Sequence, residues 1–323
     1  MPAAHSISPP NVQAVPNGSH ELPAAGASLT DQGGCPPPLA WRDVVQAFCE
    51  QRQIHEWSRD GQAVTVSTLG QGPPLYLLNG VFGDATMSAL LVWLLQEEHT
   101  CVVCDWPGIR VGRAGDSAPQ RLANLARSVL GAADRLGHGR FALHGTSFGC
   151  LVGLQMMLDA PERIERASLQ GGSAARRLTR TERGLLGLAR RSSRSLGQVP
   201  FVSAILRQNH RSWFPPFDET RWNFFEQLAA DTPLRQAADA ALIAGRVDLS
   251  PRLAEIQTPV LVILCEGDGA VSAQAQQELA RRLPCSSVET LDNCGALPQL
   301  THPHRLAKLL RAFRDDARVL NAS

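Results

Sequence analysis

The stretch Phe141–Gly153, FALHGTSFGCLVG, decides the fold class of this 323-residue chain. An apolar run leads into Gly145-Thr146-Ser147-Phe148-Gly149, and a second apolar run follows. Glycines two positions before and two positions after Ser147 allow a tight turn from a strand into a helix, with the serine exposed at the sheet edge. The pattern therefore predicts a strand, a strained turn and a helix, and it makes Ser147 a candidate nucleophile.

Apolar runs and helical patterns alternate on both sides of this stretch. The predicted strands are Val64–Gly70, Pro73–Gly80, Thr100–Gly108, Arg140–Gly145, Arg163–Gly172, Thr258–Asp268 and a final strand from Ser287. The predicted helices are Pro119–Gly137, Phe148–Pro161, Ser272–Pro284 and a last helix that follows the final strand. Strands separated by helices imply βαβ units with right-handed crossovers, so we expect an α/β domain with a predominantly parallel sheet.

Residues 173–257 interrupt this alternation, because they carry helical patterns and loops without a convincing strand. A helical insertion between strands 6 and 7 is typical of a cap over the carboxyl edge of the sheet, where open α/β sheets bind their ligands. A subdomain that serves packing alone is the alternative. The predicted organisation is a disordered tail (1–40), a core (41–172 and 258–318) and a helical cap (173–257).

Composition excludes several classes of protein. The formal net charge is +1, so bulk electrostatics favour neither a nucleic-acid binder nor a membrane-surface protein. The first forty residues are rich in Pro, Ala, Gly and Ser and lack the apolar segment of a secretory signal. No later run approaches the length of a transmembrane segment, so we expect a soluble protein of the cytoplasm.

Eight cysteines are scattered along the chain, mostly in apolar runs where a thiol packs as a small hydrophobic group. The one C-x-x-C pair, Cys101 and Cys104, lies in a predicted strand, where alternation would point the two sulfurs to opposite faces. This placement disfavours a metal site or a redox pair. We expect neither a metal nor a cofactor.

A serine nucleophile needs hydrogen-bond donors for the oxyanion, a base and a carboxylate that orients the base. One donor would be the backbone N–H of Phe148, and the second the N–H of Val81 in the loop LLNGVFGDA. Asp268, just after an apolar strand, is the candidate carboxylate, and Glu266 is the alternative. Both features also have a non-catalytic explanation. The glycines of the loop could allow a sharp turn, and the acid could cap the end of a strand.

Together these features resemble the α/β-hydrolase superfamily over nearly all of Val64 to Arg314. They are the NGVFGD loop, DWPGIRVG, the GTSFG turn, the helical insertion, CEGDGAVS, and a final strand, loop and helix. The resemblance implies a mostly parallel, eight-stranded sheet flanked by helices. It also implies the chemistry of esterases, lipases, peptidases, dehalogenases or C–C bond hydrolases.

Two positions depart from the pattern of the superfamily. Asn79-Gly80 stands where many members have His-Gly, and the backbone would still form the oxyanion hole. Members typically carry the catalytic histidine after the last strand, in Gly-His followed by an apolar residue and Pro, but this chain reads Gly295-Ala296-Leu297-Pro298. The altered loop is similar to that of the maspardin-like branch, whose members have an incomplete triad. Ala296 therefore leaves the histidine slot vacant.

Four histidines are candidates for a substitute base, which must come within about 3 Å of the serine proton. His302 and His304 lie shortly after Ala296, at the expected start of the last helix. His210 belongs to the expected cap and could reach the pocket from above. His144 belongs to the central strand, where a hydrogen-bonded buried histidine is the ordinary outcome.

Two functions remain open from the sequence. One is a hydrolase-like enzyme of impaired or atypical activity that acts on an acyl-type substrate under the cap. The other is a non-catalytic pseudo-hydrolase that binds a small molecule or a protein through the cap and pocket. Nine arginines in 173–213, opposed only by Glu182, could attract an acidic protein or an anionic ligand, unless they form an ordinary solvated face. They are Arg176, Arg177, Arg180, Arg183, Arg190, Arg191, Arg194, Arg207 and Arg211.

Overall fold

The fold is known from a computed structural model, which describes residues 40–59, 62–105 and 115–316. The expected disordered tail (1–40) lies outside these residues except for its last position. Most of the DWPGIRVG motif, which follows Cys104, also lies outside them, as do residues 317–323.

The centre of the domain is one eight-stranded sheet. Its strands are β1 (Gln53–Arg59), β2 (Gln62–Leu69), β3 (Pro74–Leu78), β4 (Thr100–Cys104), β5 (Phe141–Thr146), β6 (Ile164–Gln170), β7 (Val260–Cys265) and β8 (Ser286–Leu291). The order across the sheet is β1-β2-β4-β3-β5-β6-β7-β8. Only β2 runs against its neighbours, since it pairs antiparallel with β1 and β4 and every other pair is parallel. The predicted α/β class and the mostly parallel sheet of eight strands are confirmed.

Helices occupy both faces of the sheet and the long connection between β6 and β7. They are α1 (Trp41–Gln51), α2 (Ala89–Leu95), α3 (Ala118–Arg135), α4 (Phe148–Asp159), α5 (Arg180–Ala189), α6 (Val202–His210), α7 (Glu219–Asp231), α8 (Leu234–Ala244), α9 (Ala270–Arg282), α10 (Pro298–Thr301) and α11 (Pro303–Asp315). Ser117 begins α3 with a capping box, because its hydroxyl accepts from the Gln120 amide while the Gln120 side chain accepts from the Ser117 amide.

Two apolar clusters cover the two faces of the sheet. One combines alternate strand residues such as Tyr76 and Val102 with the apolar sides of α3 and α4. The other combines the intervening strand residues, such as Leu77 and Val103, with α1, α2 and α11. Cys104 belongs to the first cluster and Cys101 to the second, so the two sulfurs of the C-x-x-C pair do lie on opposite faces.

Residues 173–257 form α5 to α8 together with short 3-10 turns and two isolated β-bridges. Helices α6 and α7 contribute to a third apolar cluster, which also includes Met87 and Leu297 from the sheet domain. Helix α8 instead adds Ala240 and Ile243 to the cluster under α3 and α4. The segment is therefore packed against the core at several places. Within the described ranges, no helix is both long and apolar enough to cross a membrane.

Candidate active site

Ser147 occupies the turn between β5 and α4. Its backbone has φ 53° and ψ −112°, a conformation that non-glycine residues rarely adopt, and its side chain is exposed. A Cβ on Gly149 would lie only 1.9 Å from the carbonyl oxygen of Leu78, so glycine allows the first turn of α4 to approach the end of β3. Tight packing after the serine thus holds the strained turn in place.

The backbone of Ser147 is anchored while its side chain is not. Its amide donates to the carbonyl oxygen of Gln170 at 2.8 Å, and its carbonyl oxygen accepts from the Cys150 amide at 3.0 Å. No side-chain hydrogen bond of Ser147 is found within the described part of the chain. The anchored backbone therefore places the Ser147 side chain at the carboxyl edge of the sheet.

The loop after β3 lies beside Ser147. A Cβ on Gly80 would be 3.5 Å from the Cβ of Ser147, so the glycine allows this loop to come close. The Asn79 side chain braces the loop, because its Oδ1 accepts from Ser88 Oγ at 2.5 Å and its Nδ2 donates to the Asp84 carbonyl oxygen at 3.3 Å. The predicted oxyanion donor Val81 is the next residue after Gly80.

Two side chains from the segment 173–257 contact the same loop. Thr232 Oγ1 accepts from the Gly83 amide at 3.0 Å, and Gln236 Nε2 donates to the Val81 carbonyl oxygen at 3.4 Å. The Val81 amide itself donates no hydrogen bond among the described residues. The helical segment therefore fixes the loop without occupying the amide that the predicted oxyanion hole needs.

Asp268 follows β7 and is partly buried. Its Oδ2 accepts from Gln276 Nε2 at 2.9 Å and from the Cys265 amide at 3.2 Å. Burial raises the pKa of Asp268, and these two hydrogen bonds oppose that rise. Its Oδ1 points toward the end of β6, 3.9 Å from the position that a Cβ on Gly171 would occupy.

Glu266, the alternative carboxylate, is directed elsewhere. It is exposed, and its Oε2 accepts from the Asn293 amide at 2.7 Å in the loop after β8. Its side chain therefore caps that loop. The position of Asp268 fits the role of a site carboxylate better than that of Glu266.

Gln276, which the sequence analysis did not single out, links the acid to the central sheet. Its side chain is buried on α9, and its Oε1 accepts from the Gly171 amide at 3.1 Å while its Nε2 donates to Asp268. A single glutamine in a helical pattern carries no signal of this role in the sequence. The contact joins positions 105 residues apart, which only the fold brings together.

Ala296 lies in the loop after β8, and this loop is hydrogen-bonded to the end of β6 and to the turn after β7. The Ala296 carbonyl oxygen accepts from Gln170 Nε2 at 2.9 Å. Gly267, in the turn Glu266–Asp268 after β7 (the acid loop), donates its amide to the Cys294 carbonyl oxygen at 2.9 Å. The position at which the sequence pattern predicts a histidine slot is therefore part of a loop that is bonded directly to the acid loop.

Trp213 packs over this junction from the helical segment. A Cβ on Gly267 would lie 2.4 Å from Trp213 Cε2, and a Cβ on Gly295 would lie 2.5 Å from Trp213 Cγ. Neither position could hold a larger residue without moving the indole. The two glycines therefore allow the ring to pack between the acid loop and the loop that carries Ala296, a contact that the sequence does not reveal.

Two of the four candidate bases are held in other contacts. His144 is buried on β5, with Nδ1 2.9 Å from Ser168 Oγ, and burial lowers its pKa to about 4. His302 lies between α10 and α11 with Nδ1 3.0 Å from Thr301 Oγ1, and burial also lowers its pKa.

The other two histidines are on separate elements. The His210 ring packs edge-on against Phe225 with centroids 5.7 Å apart, and Phe225 in turn contacts Phe82 of the loop after β3. Burial lowers the pKa of His210. His304 is exposed on α11. None of the four candidates forms a hydrogen bond or ion pair with Ser147 or Asp268 in the described ranges, where no cluster of metal ligands is found either.

The sequence matches the family described as "alpha/beta hydrolase fold" over residues 73–303, which include Ser147, Asp268 and Ala296. The chain belongs to the α/β-hydrolase fold family. The chain is 25% identical to 2-hydroxy-6-oxononadienedioate/2-hydroxy-6-oxononatrienedioate hydrolase 2 of Pseudomonas putida. The alignment covers 79% of this chain and 88% of that protein. The chain is also 23% identical to 3-oxoadipate enol-lactonase 1 of Acinetobacter baylyi, over 79% of this chain and 94% of that protein.

Solved structures show the same α/β-hydrolase architecture. The crystal structure of a hydrolase from Pseudomonas aeruginosa PA01 superposes with a TM-score of 0.68 at 22% identity. The match covers 81% of this chain and 98% of that one. This likeness concerns the fold, while the relatives identified by sequence are hydrolytic enzymes by name.

Proposed function

We propose that this α/β-hydrolase-fold protein is a serine-hydrolase-type enzyme of impaired or atypical activity, with Ser147 as the nucleophile. The observation that carries the proposal is the geometry of the turn. Ser147 is exposed at φ 53°, and its Cβ is 3.5 Å from where a Cβ on Gly80 would be, beside the loop that carries Val81. A turn strained in this way holds a serine hydroxyl next to backbone donors.

In the proposed reaction, Ser147 Oγ attacks a carbonyl carbon and the Phe148 and Val81 amides donate to the developing oxyanion. Asp268, near the end of β6, is the proposed carboxylate of the site. Because Ala296 cannot take the serine proton, the proton must pass to water or to the leaving group. Enzymes with one triad member removed keep a rate enhancement of only about 10³ to 10⁴ over water. We therefore expect activity on esters with good leaving groups and little on ordinary esters or amides.

The segment 173–257 is proposed to act as the cap of this site. Its Thr232 and Gln236 hydrogen-bond to the loop after β3, and its Trp213 packs on the loops after β7 and β8. A small acyl-type substrate would bind between these helices and Ser147. The named relatives hydrolyse small carbonyl compounds by their names, which supports the same substrate class here.

A non-catalytic pseudo-hydrolase is the second candidate, and the packing of Trp213 favours it. The indole lies against Gly267 and Gly295, and Asp268 already accepts two hydrogen bonds from within its own neighbourhood. A site that no longer needs a base could use this closed arrangement to bind a small molecule or a protein. The similarity of the loop around Ala296 to the maspardin-like branch supports the same idea and stays a proposal.

A fluorophosphonate probe tests the two candidates, because it labels a serine in proportion to its nucleophilicity. We would compare the wild type with Ser147→Ala, Ala296→His and Ala296→Gln, the last as a control for side-chain size without a base. The enzyme proposal expects slow labelling of the wild type, none of Ser147→Ala, and faster labelling of Ala296→His than of Ala296→Gln. A wild type that never labels, together with an Ala296→His variant that does, identifies the pseudo-hydrolase.

Labelling of the wild type at the rate of an ordinary esterase would contradict an impaired triad. A base would then have to be found, and His210→Ala, His302→Ala, His304→Ala and His144→Ala would each be measured against the wild type. We place the protein in the cytoplasm as part of the proposal. The seven cysteines of the described residues are unpaired thiols, which suits a reducing compartment.

A further inference from the structure

We propose that a cavity between the end of α5 and the start of α8 binds the phosphate group of a small molecule. The cavity has a volume of about 690 Å³, and its walls carry four arginines and two serines. These are Arg190, Arg191, Arg194, Arg235, Ser192 and Ser193. Neither Ser147 nor Asp268 lines it, so the inference does not depend on the chemistry proposed for that site.

The cavity holds far more positive charge than its surroundings neutralise. Asp239 is the acid beside it, and its carboxylate is 3.1 Å from Arg190 Nε and 4.0 Å from Arg235 Nε. The same carboxylate also receives the buried Arg121 at 2.9 Å, so one negative charge faces three guanidinium groups.

The two remaining arginines, Arg191 and Arg194, form no ion pair with the part of the chain that the structure describes. Among the described residues, neither Arg191 nor Arg194 lies within ion-pair distance of a carboxylate, and both are exposed at the cavity wall. Like charges held together repel each other, and an anion removes that repulsion. The pattern differs from a solvated helix face, in which arginines alternate with acids.

The backbone holds these arginines in one arrangement. A β-bridge joins Ser195 to Pro233, the Leu234 amide donates to the Arg194 carbonyl oxygen at 2.9 Å, and the Leu196 amide donates to the Thr232 carbonyl oxygen at 2.9 Å. The turn after α5 is thus fastened to the first residues of α8. A ligand would meet a backbone whose arrangement is already fixed, so only the exposed side chains would have to be ordered on binding.

Phosphate fits this cavity better than a carboxylate. A carboxylate carries one negative charge, whereas a phosphate monoester or diphosphate carries about two or more and presents oxygens on several sides. Planar guanidinium groups bind such oxygens in pairs, and the hydroxyls of Ser192 and Ser193 can donate further hydrogen bonds. The volume admits a small molecule with room beyond its phosphate group.

The test compares binding of inorganic phosphate and pyrophosphate to the full-length wild type and to Arg191→Gln/Arg194→Gln. The control is Arg180→Gln/Arg183→Gln, which removes the same charge from exposed positions of α5 that do not line the cavity. Isothermal titration calorimetry at constant ionic strength gives the dissociation constants. We expect tighter binding of pyrophosphate than of phosphate, a loss of affinity of about tenfold or more in the cavity variant, and little change in the control.

Thermal unfolding supplies a second readout that does not assume an unchanged fold. Without ligand, the Arg191→Gln/Arg194→Gln variant should have a melting temperature no lower than that of the wild type, because the substitutions remove only repulsion between the arginine side chains. With pyrophosphate, the wild type and the control should gain melting temperature and the cavity variant should not. Equal affinities in the wild type and the cavity variant, or equal losses in the control, would overturn the proposal.

Two sources of phosphate can be separated in the same experiment. Vesicles of phosphatidylcholine with and without phosphatidic acid are added in a flotation assay with all three proteins. Binding to free pyrophosphate indicates a soluble phosphorylated ligand, and binding only to vesicles with phosphatidic acid indicates a lipid headgroup, provided that the cavity variant loses it. If neither probe binds, the proposal is wrong.

Discussion

The indole of Trp213 lies directly against Gly295, the residue before Ala296. A Cβ at Gly295 would be 2.5 Å from Cγ of the ring. Through this contact the helical segment 173–257 touches the loop that carries Ala296. A larger residue at position 295 would therefore also displace Trp213.

The contact predicts strong coupling between these two positions. We expect Gly295→Ala to cost about 2 to 3 kcal/mol of unfolding free energy, because the new methyl group overlaps the ring. In a Trp213→Ala background the same change should cost less than about 1 kcal/mol, since the overlap is gone. A double-mutant cycle from urea unfolding measures the difference. Additive effects would show that the two residues are not in contact.

Gly149 should be among the least replaceable residues of the fold. A Cβ there would lie 1.9 Å from the Leu78 carbonyl oxygen, which belongs to β3 and cannot move freely. We expect Gly149→Ala to lower the unfolding free energy by about 3 kcal/mol or more. Gly184→Ala is the matched control, because Gly184 lies inside α5 with no neighbouring atom within 4 Å of the new group. That control should stabilise the protein by roughly 0.5 to 1 kcal/mol.

Because the backbone of Ser147 is strained, replacing this residue with glycine should raise the stability of the protein while removing the proposed nucleophile. Glycine adopts positive φ without steric cost, whereas alanine keeps the strain that serine has at φ 53°. Ser147→Gly should therefore be about 1 kcal/mol more stable than Ser147→Ala in thermal unfolding, and neither should label with the fluorophosphonate. Equal stabilities would mean that the surrounding packing, rather than the residue, sets the conformation.

The protein should lose stability as pH rises from about 4 to about 7, because of Asp105. Burial, aided by the charge of Asp84, raises the pKa of Asp105 to about 7, against opposing effects of Arg52 and the Ala85 amide. Between the unfolded pKa near 4 and this value, the native state binds more protons than the unfolded chain. The unfolding free energy therefore falls across that window, and the loss stays in place at higher pH.

Asp105→Asn should remove this loss. At pH 8 the variant should be more stable than the wild type by on the order of 3 kcal/mol, and at pH 4 the difference should nearly vanish. Urea titrations at several pH values give the profile, with the exposed Asp43→Asn as a control that should keep the wild-type slope. A wild-type profile that rises from pH 4 to pH 7 relative to Asp105→Asn would contradict the burial of an uncompensated carboxyl.

Asp239 should be important for stability, because it neutralises Arg121 where both side chains are only 10% exposed. Removing one partner of a buried pair leaves the other charge uncompensated, which typically costs 3 to 5 kcal/mol. We expect Asp239→Asn to cost about 3 kcal/mol in chemical unfolding. Arg235→Gln, whose side chain is 71% exposed and 4.0 Å from the same carboxylate, should change stability by less than about 1 kcal/mol. A similar cost for both would argue against burial as the cause.

Much of the fold follows from the sequence because buried parallel strands are continuous apolar runs. The runs from Tyr76 to Leu78 and from Val260 to Cys265 are recognisable without any partner. No element is predicted between residues 41 and 63, yet this stretch contains α1, all of β1 and the first two residues of β2. Strand β1, QIHEWSR, is an edge strand paired only with β2, so it lacks the apolar run that marks a central strand.

The candidate site also contains some residues that the sequence predicts and others that only the fold reveals. The glycines on either side of Ser147 predict a local turn, so this residue and its neighbours can be found from a short stretch of sequence. Gln276 and Trp213 act through contacts with Gly171 and Gly295, which are separated from them by more than 80 residues. Such contacts depend on tertiary packing, and neither residue type has a spacing that would predict them.

The hydrogen bonds of Asp268 make the acid independent of any base. Gln276 and the Cys265 amide already hold its carboxylate, so exchanging alanine and histidine at position 296 leaves this support intact. The support of the acid is thereby independent of the side chain at position 296. If the proposed function holds, one substitution at position 296 should change the chemistry without a thermodynamic penalty at the acid, and the chain then offers a scaffold in which an esterase activity is gained in a single step.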